Sequence, residues 1–181
     1  MSDKNAEKKK IKTLIADLRP GDEQRQLQAI KGLKVHGDHT VVKPLLDVLL
    51  NTDSENVRKE IISVLNTVKL TSVPPVIASA LTNANYKPIR QILLSSIWNS
   101  GLDYREYLKE IVIAAVQGEM MDALECITII ENTEGEFSEE QLYDAQLVLK
   151  EYLVENKDDI SPKNNLLFEI SQLLQEMNDQ L

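Results

Sequence analysis

The chain has 181 residues, 43% hydrophobic and only 4% aromatic, with 6 glycines and 6 prolines, where ordinary globular usage would give about 13 and 9. That scarcity of turn formers and strand-favouring aromatics excludes a sandwich or barrel built from many short turns. With 20 basic and 29 acidic residues the formal net charge is −9, which disfavours general binding to phosphate backbones.

In chain order, the lysine run Lys8-Lys9-Lys10, with Lys4 and Lys12, opens the chain. It reads as a solvated first turn, with weak contact to anionic lipid or nucleic acid as the alternative. No apolar core of signal-peptide length follows it, and no apolar stretch is long enough to span a bilayer, so a soluble cytoplasmic protein is expected. Leu14, Ile15 and Leu18 make the first apolar stripe at helical spacing, ended by Pro20-Gly21-Asp22. Breakers then recur about every 16 residues: Gly37-Asp38, Asn51 to Ser54, Leu70 to Ser72, Asn83 to Asn85, Gly101 to Asp103, Gly118, Thr133 to Gly135 and Lys157 to Asp159. Between them lie further stripes, such as Ile61, Ile62, Leu65, Val68, then Ile111, Val112, Ala115, and finally Leu166, Leu167, Ile170, Leu173, Leu174. Asp38, Ser54, Ser72, Asp103 and Ser138 can serve as N-caps; Ser138 to Gln141 fits a capping box, and Pro162 follows Ser161 as a first-turn proline. Ten helical pieces and an all-α fold follow.

The pieces repeat at a lag of 32 residues. Leu33, Leu65, Ile97 and Ile129 share one phase, and Ile30, Ile62, Leu94 and Cys126 another. Val57, Ile89 and Met121 align, as do Arg58 and Arg90, while Gly32, Val64, Ser96 and Thr128 share a small-residue phase. A fixed offset carried through two loops implies helix hairpins that bury their apolar faces by stacking.

Here the sequence resembles the HEAT-repeat family, in its short bacterial-type form. Asn56-Val57-Arg58-Lys59-Glu60-Ile61-Ile62-Ser63-Val64-Leu65 and Pro88-Ile89-Arg90-Gln91-Ile92-Leu93-Leu94-Ser95-Ser96-Ile97 carry the second-helix pattern of Val/Ile-Arg followed by apolar residues. Pro44 and Pro74-Pro75 fall inside first helices, where the family often has a bending proline. The resemblance implies a right-handed α-solenoid of about five antiparallel helix hairpins. Residues 1–136 would form the array and residues 137–181 an acidic capping hairpin of the same solenoid. Gln26 and Asp122 replace the arginine in the first and fourth units.

Charge divides along the chain: residues 1–118 carry 17 basic and 13 acidic side chains, residues 119–181 only 3 and 16. The acidic residues Glu131, Glu134, Glu136, Glu139 and Glu140 read as a solvated face, because their spacing does not match a calcium loop. His36 and His39 flank Gly37-Asp38 without a third strong ligand nearby, so no metal and no cofactor is expected. Cys126 lies in an apolar run and reads as a buried small hydrophobe. Signatures of nucleophilic, phosphate-loop and metalloprotease sites are missing from the sequence.

Arg58 and Arg90 allow two readings. Each guanidinium could hydrogen-bond a loop carbonyl or carboxylate of the adjacent repeat, forming a ladder, or the two could form an anion-binding stripe; the ladder is preferred. Trp98 either packs on Tyr104 or Tyr107 or stands exposed as a contact residue. By the resemblance, a protein partner would bind the concave face of second helices, with Arg58, Lys59, Asn66, Arg90, Gln91 and Trp98 as candidates. The alternatives are a HEAT-like enzyme, of bilin-lyase or DNA-glycosylase type, and a unit that self-associates through an open apolar hairpin face. A non-enzymatic adaptor, monomeric or weakly self-associating, with no nucleic-acid or membrane partner, is the expectation.

Overall fold

The computed structural model describes residues 2–181, with side chains from residue 5 onward; the side chain of Lys4 lies outside the described residues. Ten α-helices are found among the described residues, joined by turns and short 3-10 segments, and no strand. They are α1 (Ser2–Ala16), α2 (Glu23–His36), α3 (Val42–Asn51), α4 (Glu55–Thr67), α5 (Pro74–Leu81), α6 (Arg90–Ser100), α7 (Leu108–Gln117), α8 (Met120–Asn132), α9 (Glu139–Glu155) and α10 (Pro162–Asn178).

Side chains at the helix starts accept the N–H groups that a first turn leaves unbonded. Asp22 accepts from Arg25 N at 2.9 Å, Ser54 from Val57 N at 3.2 Å and Ser161 from Asn164 N at 3.2 Å. Ser138 and Gln141 form the reciprocal capping box, and Asp38 caps the 3-10 turn His39–Val41. Besides Asp38, two expected caps do not head an α-helix. Beyond Ser72 the helix waits for Pro74, and Asp103 bonds the N–H of Arg105 in the 3-10 turn Arg105–Tyr107, ahead of α7.

Pro44, Pro74 and Pro75 all sit in first turns, where a missing N–H costs nothing, so they start helices instead of bending them. Pro88 lies in the 3-10 stretch Ala84–Ile89 and disfavours helical geometry at Lys87, so α6 starts only at Arg90. Arg58 is therefore the fourth residue of α4, whereas Arg90 is the first of α6.

The chain forms two compact units, Met1–Val76 and Ile77–Leu181, divided within α5. In the first, α1 packs on α2, and α2 and α3 both pack on α4, around Ile30, Leu33, Leu45, Leu49, Val57 and Ile61. In the second, α8 lies between α6 and α10, while α7 packs on α8 and α9, and α9 on α10. Leu94, Ile111, Val112, Cys126, Leu149 and Ile170 fill that core.

The 32-residue phase of Leu33, Leu65, Ile97 and Ile129 is buried throughout, and Ile30, Leu94 and Cys126 are wholly buried with Ile62 half-buried. In α8 the match fails elsewhere. Val57 and Ile89 are buried but their counterpart Met121 is exposed; Glu125 and Thr128 turn partly outward where Ile61, Leu93, Val64 and Ser96 are buried. Conversely Ala123, Ile127 and Ile130 are buried at positions that are exposed or half-buried in α4 and α6. Helix α8 is thus turned about its own axis. It follows a two-residue connection, Gly118 and Glu119, in which the backbone N–H of Glu119 donates to the buried Asp122 carboxylate at 2.8 Å, and the helix is covered by both α6 and α10. A Cβ on Gly118 would collide with that carboxylate and with the Ala114 carbonyl, so the turn requires glycine.

Candidate functional site

The six candidate contact residues divide between the two units. Arg58, Lys59 and Asn66 lie on α4, and Arg90, Gln91 and Trp98 on α6. Two turns separate Lys59 from Asn66 and Gln91 from Trp98, so each pair shares a helix face. Lys59, Gln91 and Trp98 are exposed and Asn66 is half-buried.

Arg90 is different: it is only 3% exposed, and its Nε donates to the Leu81 carbonyl at 3.2 Å. That carbonyl belongs to the last residue of α5, where unpaired carbonyls and the negative helix end favour a cation. The arginine therefore ties α6 to α5 inside one hairpin and is withdrawn from any contact face. Gln26, its counterpart in the first unit, donates from Nε2 to the Leu18 carbonyl at 3.0 Å and is also buried. In the last hairpin, Asn164 on α10 donates to the Asp159 and Asn156 carbonyls at 2.6 and 3.4 Å. Arg58 is half-buried, and no such carbonyl bond accompanies it among the described residues.

The expected rung between repeats is supplied by another arginine. Arg105 is fixed by Asp103 through an ion pair of 2.7 Å, and its Nη1 donates to the Glu136 carbonyl, one repeat on, at 3.2 Å. The Arg105 guanidinium holds the Asp103 carboxyl below its ordinary range. Gly135 lies beside it at φ +85, and a Cβ there would come within 2.6 Å of Arg105 Nη1. Other bonds about one period long join neighbouring hairpins: Asn56 to Glu23 at 2.8 Å, Lys34 to Ser63 at 3.2 Å and Lys109 to Asp144 at 2.9 Å.

Trp98 does not depend on the tyrosines. Tyr104 and Tyr107 pair edge to face with each other, 6.4 Å between centroids, and burial raises the Tyr104 phenol above its ordinary range. Trp98 is 41% exposed, and its indole N–H donates to Glu125 Oε2 on α8 at 2.9 Å. Glu125 follows Leu124 directly and lies one turn after Met121, and both apolar neighbours are exposed. The result is a small surface spanning α6 and α8, with one tryptophan, two flexible apolar side chains and a carboxylate. Sequence reasoning missed Met121 and Leu124 because the repeat phase assigns Met121 to the core.

Cys126 is fully buried and its thiol is pushed up to about 12. His36 Nε2 lies 2.8 Å from Lys10 Nζ, and His39 is exposed in the 3-10 turn after Asp38. Among the described residues no three His, Cys, Asp or Glu side chains converge on a point that could hold a metal, and no helix is long and apolar enough to cross a membrane.

No curated protein and no solved structure was found to match the chain. Residues 11–98, which include both Val/Ile-Arg second helices, match the family model of HEAT repeats. That match, on a chain of packed helix pairs, identifies residues 11–98 as HEAT repeats.

Proposed function

We propose that the protein is a non-catalytic cytoplasmic adaptor that binds a protein partner through the α6–α8 surface around Trp98. HEAT repeats generally act as scaffolds for protein–protein interaction, and the observation that carries the reading to this surface is the exposed indole. A tryptophan held by one hydrogen bond, beside Met121 and Leu124, offers a large contact area at little entropic cost. Gln91, two turns earlier on the same face of α6, extends the surface with a polar rim. A buried Cys126 thiol and a His36 engaged with Lys10 support a role without chemistry.

The test is affinity capture from the native cell with wild-type protein, Trp98→Ala and Leu124→Glu, each checked for folding by circular dichroism. A protein retained by wild type and lost with both variants supports the reading. Partners that bind both variants as well as wild type overturn it, as does the lack of any reproducible partner.

A further inference from the structure

We propose that the outer face of the last hairpin, between α9 and α10, binds the same face of a second copy of this chain. In a repeat stack a hairpin meets the preceding one on one side and offers its opposite side to a further helix pair. Here α9 packs on α7, and the face away from α7 is an open groove of about 830 Å³. Its apolar walls are Tyr143, Leu147, Val154, Ile160 and Phe168, with Val154 at 65% and Ile160 at 89% exposure. Such a cluster is more than scattered surface hydrophobes and marks an interaction surface.

The pattern on α9 says what kind of surface it is. Tyr143, Leu147, Lys150 and Val154 follow one another at steps of four, three and four, which is the seam of helices packing side by side, and Lys157 stands in the turn just beyond α9. On α10, Asn164, Phe168, Ser171 and Gln175 follow the same steps. Two such seams form half of a four-helix arrangement, and a second identical pair completes it.

Charge selects the occupant. Of the three basic residues in 119–181, Lys163 is engaged with the Val116 carbonyl and the Tyr152 ring, while Lys150 and Lys157 line the groove. Exposed carboxylates border the seams, Glu140 at the start of the α9 seam, Glu151 beside it, and Glu169 and Glu176 beside the α10 seam; Asp159, which also lines the groove, is held by the Ser161 N–H and hydroxyl at 2.8 and 2.9 Å. A basic strip bordered by acidic rims is complementary to itself: turned through a two-fold axis, each copy's lysines meet the other's rims. This face is separate from the Trp98 surface, so either can fail without the other.

Sedimentation equilibrium of the full chain tests the proposal. Wild type forms a dimer in the micromolar range, and Val154→Glu or Leu147→Glu raises Kd at least about tenfold with circular dichroism and melting unchanged. Reversing the strip (Lys150→Glu with Lys157→Glu) or the rims (Glu140, Glu151, Glu169 and Glu176 each to Lys) weakens each variant alone, and their equimolar mixture associates again. A wild-type chain that stays monomeric across the range overturns the proposal. So does a dimer indifferent to Val154→Glu, a mixture that does not recover, or a mass that grows without limit.

Discussion

Arg90 and Leu81 are joined by a hydrogen bond of 3.2 Å from a buried guanidinium to the last carbonyl of α5. The neighbouring Arg90 Nη1 is buried without a hydrogen-bond partner. The expected outcome is that Arg90→Ala destabilises by about 2–3 kcal/mol through lost packing and an orphaned carbonyl. Arg90→Gln, which copies the solution at Gln26, recovers part of that. Gln26→Ala costs about 1–3 kcal/mol for the same reason. Urea unfolding of the three variants checks the ordering.

Lys163 reaches from α10 to the Val116 carbonyl at 2.6 Å, in the last turn of α7, and stands 5.2 Å over the Tyr152 ring. Lys163→Met keeps the stem and removes the bond, at a cost of about 1 kcal/mol. Burial lowers the Lys163 ammonium below its ordinary value of 10.5. The unfolded chain therefore holds this proton more tightly, and stability rises with pH between the lowered pKa and 10.5. The difference between wild-type and Lys163→Met unfolding curves across that alkaline window carries this slope.

Acid acts in the opposite sense at Asp103 and Asp38. The hydrogen bond from Arg105 lowers Asp103, and the Thr40 hydroxyl lowers Asp38, both below 3.8. Their contribution is complete above 3.8 and disappears as pH falls through the depressed folded-state values. Asp103→Asn and Asp38→Asn are each less stable than wild type at neutral pH, and the gap closes below pH 3.8. Thermal melts at stepped pH read the gap directly.

Cys126 reports on opening of the second unit. Its thiol is fully enclosed and raised to about 12, so an aromatic disulfide reagent leaves it unmodified in the native protein. Labelling then follows the unfolding transition in urea, and modification at the rate of a free thiol in native buffer would contradict the burial.

Much of the fold was legible in the sequence because helix periodicity, caps and a fixed repeat lag all point the same way. Leu33, Leu65, Ile97 and Ile129 are buried together, as one phase requires. The site was less legible, and for local reasons. A proline at position 88 moved the start of α6, which put Arg90 on a carbonyl inside its hairpin, and no spacing rule separates that from an outward arginine. The rung between repeats fell to Arg105, in a turn where the repeat pattern carries no arginine. Trp98 was visible as an exception in its phase, but its partner Glu125 was not, because α8 departs from the rotation that the lag predicts.

Helix α8 is entered through a two-residue turn, Gly118 and Glu119, which lies outside its exposed surface. On the helix it leads into, Met121 and Leu124 face solvent, whereas Ala123 and Ile127 do not. If the Trp98 surface binds a partner as proposed, the length of this turn bears on which α8 side chains that partner meets. One inserted residue at the turn would re-index the helix and exchange its contact face, leaving the composition of the helix untouched. In a family built from near-identical hairpins, new specificity can arise by changing the joints while the helices stay as they are.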